Sequence, residues 1–112
     1  MIKIDIKALS VNEAWKGKRF KTDAYNKYQR ALLLLLPKVY ELPPPPYELH
    51  LEFGFSSSAS DWDNPIKPFQ DVLATKYNFN DKLIKKGIVT VNQVKKGFEY
   101  VKFDIKKFEP KD

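Results

Sequence analysis

Cysteine is absent from the 112 residues, and histidine occurs once, as His50. The first absence excludes disulfides, thiolate metal sites and thiol catalysis. The second removes any two-histidine zinc arrangement. Acid is the scarcer charge, with 14 Asp+Glu against 20 Lys+Arg, which leaves a net charge of +6. Long apolar runs are missing too. Leu32–Leu36 is far shorter than the roughly 20 residues that span a bilayer. The N-terminal M-I-K-I-D-I-K alternates apolar and charged residues and lacks the apolar segment of a signal peptide. A soluble, cytoplasmic protein is therefore expected.

What is present is a folding sequence. Hydrophobic residues make up 43% and aromatics 14%, enough for one modest core in a single domain over residues 1–112. The excess of positive charge points to an anionic partner, nucleic acid first, with solubility as the alternative.

Ile2, Ile4 and Ile6 alternate with Lys3, Asp5 and Lys7, the period of a half-buried strand. Residues 10–21 read as a loop. Thr22 or Asp23 then caps a helix whose Tyr25, Tyr28, Leu32 and Leu35/Leu36 share one face. The five leucines make the end of that helix apolar nearly all round, so deep burial or a subunit contact is expected there. Pro37 limits it, and Pro43–Pro46 reads as an extended polyproline II connector.

Leu49, Leu51, Phe53 and Phe55 give a second strand, with His50 on the opposite face. Asn64 and Pro65 are expected to open a second helix, irregular until Phe69 because of Pro68. Phe69, Val72 and Leu73 form its packed face. Asn80 or Asp81 opens a short turn. The remainder reads as a hairpin: Ile88–Val94, a Lys95-Lys96-Gly97 turn, then Phe98–Phe108 with Val101, Phe103 and Ile105 inward. The expected fold is α+β, a mixed sheet of about four strands with two main helices and a C-terminal β-hairpin.

Acidic residues gather in D-W-D-N-P-I-K-P-F-Q-D, Asp61 to Asp71. Asp61 and Asp63 are two apart, so on extended chain they project to one side. Lys67 and Asp71 are four apart and stack on one helix face. Asp81 follows near the start of the next element. Converging oxygen ligands of this kind suit Mg²⁺ or Mn²⁺, which stabilise charge on a phosphoryl group. A neighbouring lysine adds to that stabilisation. Helix caps and a surface ion pair account for the same residues equally well.

The order D-x-D-N-x-x-K-x-x-x-D-x-L from Asp61 to Leu73, followed by Asn80-Asp81, resembles the RusA family of Holliday-junction resolvases. S-V-N-E-A-W and G-K-R-F-K-T, with Tyr25 and Tyr28 beyond, are similar to that family's N-terminal region. The resemblance implies a homodimeric, Mg²⁺-dependent endonuclease, with Mn²⁺ able to substitute, that cuts branched DNA at four-way junctions by paired nicks. It implies Asp61, Asp63 and Asp81 as metal ligands, Lys67 as the active-site lysine and Asp71 as the acid after it. Many relatives have two adjacent acids where this chain has Asn80-Asp81. The basic residues Lys16, Lys18, Arg19 and Lys21 in the early loop become candidate phosphate contacts. So do Lys85, Lys86, Lys95 and Lys96 at the turns of the C-terminal hairpin. Paired nicks also suit a two-fold dimer, with the leucine helix a candidate interface. Two other functions fit the composition: a non-catalytic branched-DNA-binding protein, or another Mg²⁺-dependent nuclease acting on flap DNA or RNA.

Overall fold

The computed structural model describes residues 1–16, 20–59 and 61–110, apart from the side chains of Lys16 and Phe20. Its elements run β1 (Ile2–Ile4), α1 (Val11–Ala14), β2 (Trp15–Lys16), β3 (Phe20–Lys21), α2 (Asp23–Leu35), β4 (Tyr47–Phe55), α3 (Ile66–Tyr77), a 3₁₀ turn (Asp81–Leu83), β5 (Ile84–Gln93) and β6 (Tyr100–Lys107). The α+β expectation holds, with a four-stranded mixed sheet in the order β1-β6-β4-β5.

β4 occupies the interior of that sheet because its inner face is its most apolar. Tyr47, Leu49, Leu51, Phe53 and Phe55 are all buried and alternate along the strand as the pleat requires. β6 supplies Val101, Phe103 and Ile105 to the same face. α2 adds Tyr28, Leu32 and Leu36, and α3 adds Phe69, Val72 and Leu73. Helical and strand periods thus close on one core, as the sequence pattern anticipates.

The last two strands are consecutive and antiparallel, joined through a turn with Gly97 at φ 95°. Their pairing differs from a simple hairpin. β4 lies between them, parallel to β5 and antiparallel to β6. A lysine-glycine turn specifies reversal of the chain, but the buried face of β4 requires neighbours on both edges, and that requirement decides the pairing. The parallel β4–β5 pair needs a crossover, and α3 is that crossover.

Four local expectations are corrected. The segment 10–21 is not all loop. Ser10 and Glu13 form a reciprocal capping box that starts α1, and β2 pairs with β3. α3 begins at Ile66, so Pro68 sits in the first turn, where the missing N–H would have had no intrahelical partner. Its cap is Pro65 rather than Asn64. The Pro45–Pro46 peptide is cis, so the proline run is not a continuous polyproline II segment. Within the leucine run Leu32 and Leu36 are buried in the core, whereas Leu34 is 86% and Leu35 50% exposed, so burial within the chain covers one side of the run only. Among the described residues no helix is long and apolar enough to cross a membrane.

Candidate functional site

Three pieces of chain meet around the N-terminal half of α3. The first is the loop leaving β4, which carries Asp61, Trp62 and Asp63, all exposed. Asn64 Nδ2 donates to Asp61 Oδ2 at 3.3 Å, and the Ile66 N–H donates to the Asp63 carbonyl at 3.2 Å. Asn64 therefore ties the loop to itself rather than capping the helix by its side chain. The Asn64 carbonyl accepts the Val11 N–H at 2.8 Å. That bond anchors the S-V-N-E segment directly to the acidic loop.

α3 contributes Lys67, Gln70 and Asp71. Lys67 Nζ lies 2.8 Å from Asp71 Oδ1, one helical turn away, and 3.3 Å from Asp81 Oδ2. Hydrogen bonding to the Asp71 carboxylate pushes the Lys67 ammonium above the ordinary lysine range. Partial desolvation opposes this, and the charges of Asp71 and Asp81 reinforce it. Lys67 is consequently a fixed cation at neutral pH and not a proton acceptor.

Asp81 reaches this point because the helix ends in a left-handed residue. Asn78 has φ 53° and its N–H bonds the Ala74 carbonyl, a cap that asparagine tolerates better than most side chains. The chain then doubles back beside α3. Asn80 Oδ1 accepts the Lys82 N–H at 3.0 Å and opens the 3₁₀ turn. Its side-chain amide thus caps the turn, as expected of Asn80 or Asp81. Gln70 Nε2 donates to Asp81 Oδ2 at 3.3 Å.

α2 closes the inner side. Tyr25, nearly fully buried, stands close enough that Asp71 raises its hydroxyl pKa, second to burial and against Lys67. Lys21 lies 4.7 Å from the Tyr25 ring centroid, in cation–π range.

Lys67, Asp71 and Asp81 are therefore brought together, as their spacing suggested. Asp61 and Asp63 share the adjoining loop, but among the described residues no three acidic or histidine side chains converge as a metal cage. A cleft of about 450 Å³ opens beside Asp61, lined also by Lys7, Ser10, Asn12, Glu13 and Glu99. Glu99 is held below the usual carboxylate range, first by the Ser56 hydroxyl at 2.6 Å.

Among the described residues the candidate phosphate contacts do not form one patch. Lys18 and Arg19 lie outside the described residues, as does the side chain of Lys16. Lys85 and Lys86 stand at the start of β5, not at a turn, and Lys86 faces Glu48 at 3.6 Å. Lys95 and Lys96 follow the other end of that ten-residue strand, about 30 Å away at ~3.3 Å per residue. His50 lies 2.5 Å from Glu48, a pairing on the outer sheet face consistent with a surface role.

Gln70 and Glu99 were not singled out from the sequence, where Tyr25 reads as part of the packed face of α2 and of the N-terminal resemblance, not as a neighbour of the acidic site. Only Gln70 left a usable sign there, since it lies three residues after Lys67 and so on the same side of a helix. Compared with known proteins, the chain matches no family model and no curated protein.

Proposed function

We propose that this chain is a divalent-metal-dependent, structure-selective DNA endonuclease of the RusA type, resolving four-way junctions by paired nicks as a cytoplasmic homodimer. The reading begins from the order D-x-D-N-x-x-K-x-x-x-D. One observation carries it further: Lys67 bonds both Asp71 on its own helix and Asp81, fourteen residues along the chain. A surface ion pair would need only the first of these.

The candidate donors are all carboxylate oxygens, the ligand chemistry Mg²⁺ and Mn²⁺ prefer. Asp61 and Asp63 are exposed, and Asp81 is one-third exposed. Asp61, Asp63 and Asp81 are the residues whose donor type would hold such an ion, although among the described residues no three acidic side chains converge on one point. When bound, it supplies Lewis-acid stabilisation and a more acidic water. Lys67, kept cationic by Asp71, offsets the negative charge that develops on the scissile phosphate. Asp71 orients Lys67 and shares its charge. Basic residues elsewhere on the surface make approach to a polyanion favourable despite the acidic site.

A labelled four-way junction beside linear duplex, each with Mg²⁺ and with EDTA, tests this. The expected result is symmetric, Mg²⁺-dependent nicking of the junction, lost in Asp63→Asn while junction binding persists. Absence of divalent-dependent cleavage of any branched DNA by the purified wild-type protein overturns the proposal. Cleavage of flap DNA or RNA instead would move the activity to another nuclease class.

A further inference from the structure

We propose that the free edge of β5 is the surface on which two copies of this chain pair, strand against strand, across a two-fold axis. This rests on one part of the function proposed above, the homodimer, and needs nothing from the acidic residues. β5 ends the sheet and has β4 as its single strand partner among the described residues. That pairing runs without a register shift from Glu48–Lys86 to Phe55–Gln93. The Val94 N–H bonds the Phe55 carbonyl, so even-numbered residues turn their backbone groups toward β4. Alternation turns those of Gly87, Val89, Val91 and Gln93 outward.

Edge strands that stay alone carry a charge, a proline or a bulge in mid-strand, or lie under other chain. The stretch from Gly87 to Val94, G-I-V-T-V-N-Q-V, has no charged residue and no proline. From Lys85 to Gln93 every residue except Val89 is exposed. Ile88 is 41% exposed on the outer sheet face, and Val91 is 39% exposed on the helix side. β5 is therefore an apolar, unguarded template for another strand.

Charge selects the occupant and the register. Lys85 and Lys86 precede the uncharged strip, and Lys95 and Lys96 follow it. Parallel, in-register stacking of further copies, as in an open fibril, would set each of these lysines against itself. A two-fold axis normal to the sheet avoids this. It keeps each face continuous, so odd-numbered residues meet odd and even meet even. Centred on Val89, it sets Thr90 opposite Ile88, Lys86 opposite Asn92 and Lys85 opposite Gln93 of the second copy. It also sets Val91 beside Gly87, where the nearest atom to an added Cβ would be the Leu49 carbonyl oxygen at 4.0 Å. The valine thus fills space that glycine leaves open. An axis one residue later puts Lys85 against Lys95, and one residue earlier puts Lys85 against Val91. The pair is also closed: the joined sheet ends at both sides on β1, a strand of three residues, which offers a third copy little edge.

Sedimentation velocity of the wild-type chain without DNA is expected to show a dimer that dissociates on dilution. Val91→Lys puts a charge into the apolar strip of each copy and should weaken association at least about tenfold, with the far-ultraviolet circular dichroism unchanged. Thr90→Lys, on the other sheet face and diagonal to Lys86 of the second copy, serves if the first variant does not fold. Because the chain has no cysteine, single cysteines read the register. Val89→Cys should yield a disulfide-linked dimer on mild oxidation. Val91→Cys should not, since its two copies lie about 13 Å apart, four residues along the strand. A wild-type dimer that both lysine variants leave intact overturns this interface and leaves the homodimer standing. Cross-linking of Val91→Cys in preference to Val89→Cys overturns the register. A wild-type chain that stays monomeric, alone and on a four-way junction, overturns the interface and the homodimer together, while the cleavage assay reads the nuclease proposal separately.

Discussion

Replacing Gly54 by alanine gives a sharp test of how the sheet is built around β4. Gly54 faces Tyr100 directly across the β4–β6 pair, and the tyrosine ring lies over the strand at that position. A Cβ on residue 54 would come within 2.5 Å of Tyr100 Cδ1 and closer still to Cε1. The ring has little freedom to retreat. Its hydroxyl donates to Glu52 at 2.6 Å and accepts from Asn92 at 2.9 Å, and Lys3 and Lys102 lie 5.2 and 5.4 Å from its centroid. Keeping the ring in place costs overpacking strain of about 1–3 kcal/mol. Moving it forfeits a hydrogen bond to a charged group, about 1.5–3 kcal/mol. These are alternatives rather than a sum, and removing a strand glycine returns about 0.5–1 kcal/mol.

Gly54→Ala should therefore destabilise by about 1–1.5 kcal/mol net of that return, a noticeable part of a typical 5–15 kcal/mol total. Urea unfolding followed by tryptophan fluorescence should show the midpoint falling by about 0.6 M, given slopes of roughly 1–3 kcal/mol/M. In a Tyr100→Ala background the same substitution should be neutral or mildly stabilising. Wild-type-background Gly54→Ala with an unchanged or higher midpoint would refute the packing account.

Lys67→Met should slow single-turnover junction cleavage about 10²- to 10³-fold. Because the lysine is half exposed, unfolding free energy should change by less than about 1 kcal/mol. A much larger loss of stability would make Lys67 a structural residue. On the outer sheet face, the Tyr100 hydroxyl, ahead of Lys102, lowers the Glu52 pKa in the folded state. Its contribution to stability is therefore complete above the unfolded value near 4.5 and is lost as pH falls through the lower folded value. Glu52→Gln should flatten that part of the stability–pH curve, and identical acid limbs for both proteins would remove Glu52 from the account.

Several features were legible in the residues. Alternation placed Val101, Phe103 and Ile105 inward, and Thr22 capped α2 as its hydroxyl allowed. Phe69, Val72 and Leu73 gave the buried face of α3. These are local facts, settled by period and by capping chemistry within one element. Neighbouring order in the sheet is not local. Nothing between Ile84 and Lys107 reveals that β4 will divide them, because the apolar demand lies forty residues upstream in Tyr47–Phe55. The capping box at Ser10 and Glu13 is equally local, its S-x-x-E spacing standing just ahead of the basic residues of the same segment. Lys67 with Asp71 followed from spacing, whereas Asp81 depended on the left-handed turn at Asn78, which a single asparagine announces only weakly.

β5 has no buried residue in its ten and hydrogen-bonds to a single neighbour, while β6 is held on both sides. Sheets of this kind do not open all at once: amides on β6 should exchange with solvent only in the rarest openings, and those on β5 far more often. Asp81 is joined to the start of β5 through Lys82 and Leu83, whereas Lys67 and Asp71 ride on a helix seated in the core. The candidate site thus spans two tempos of the same fold. One half should keep its place for as long as the protein stays folded, while the carboxylate opposite should be released whenever the edge strand β5 opens.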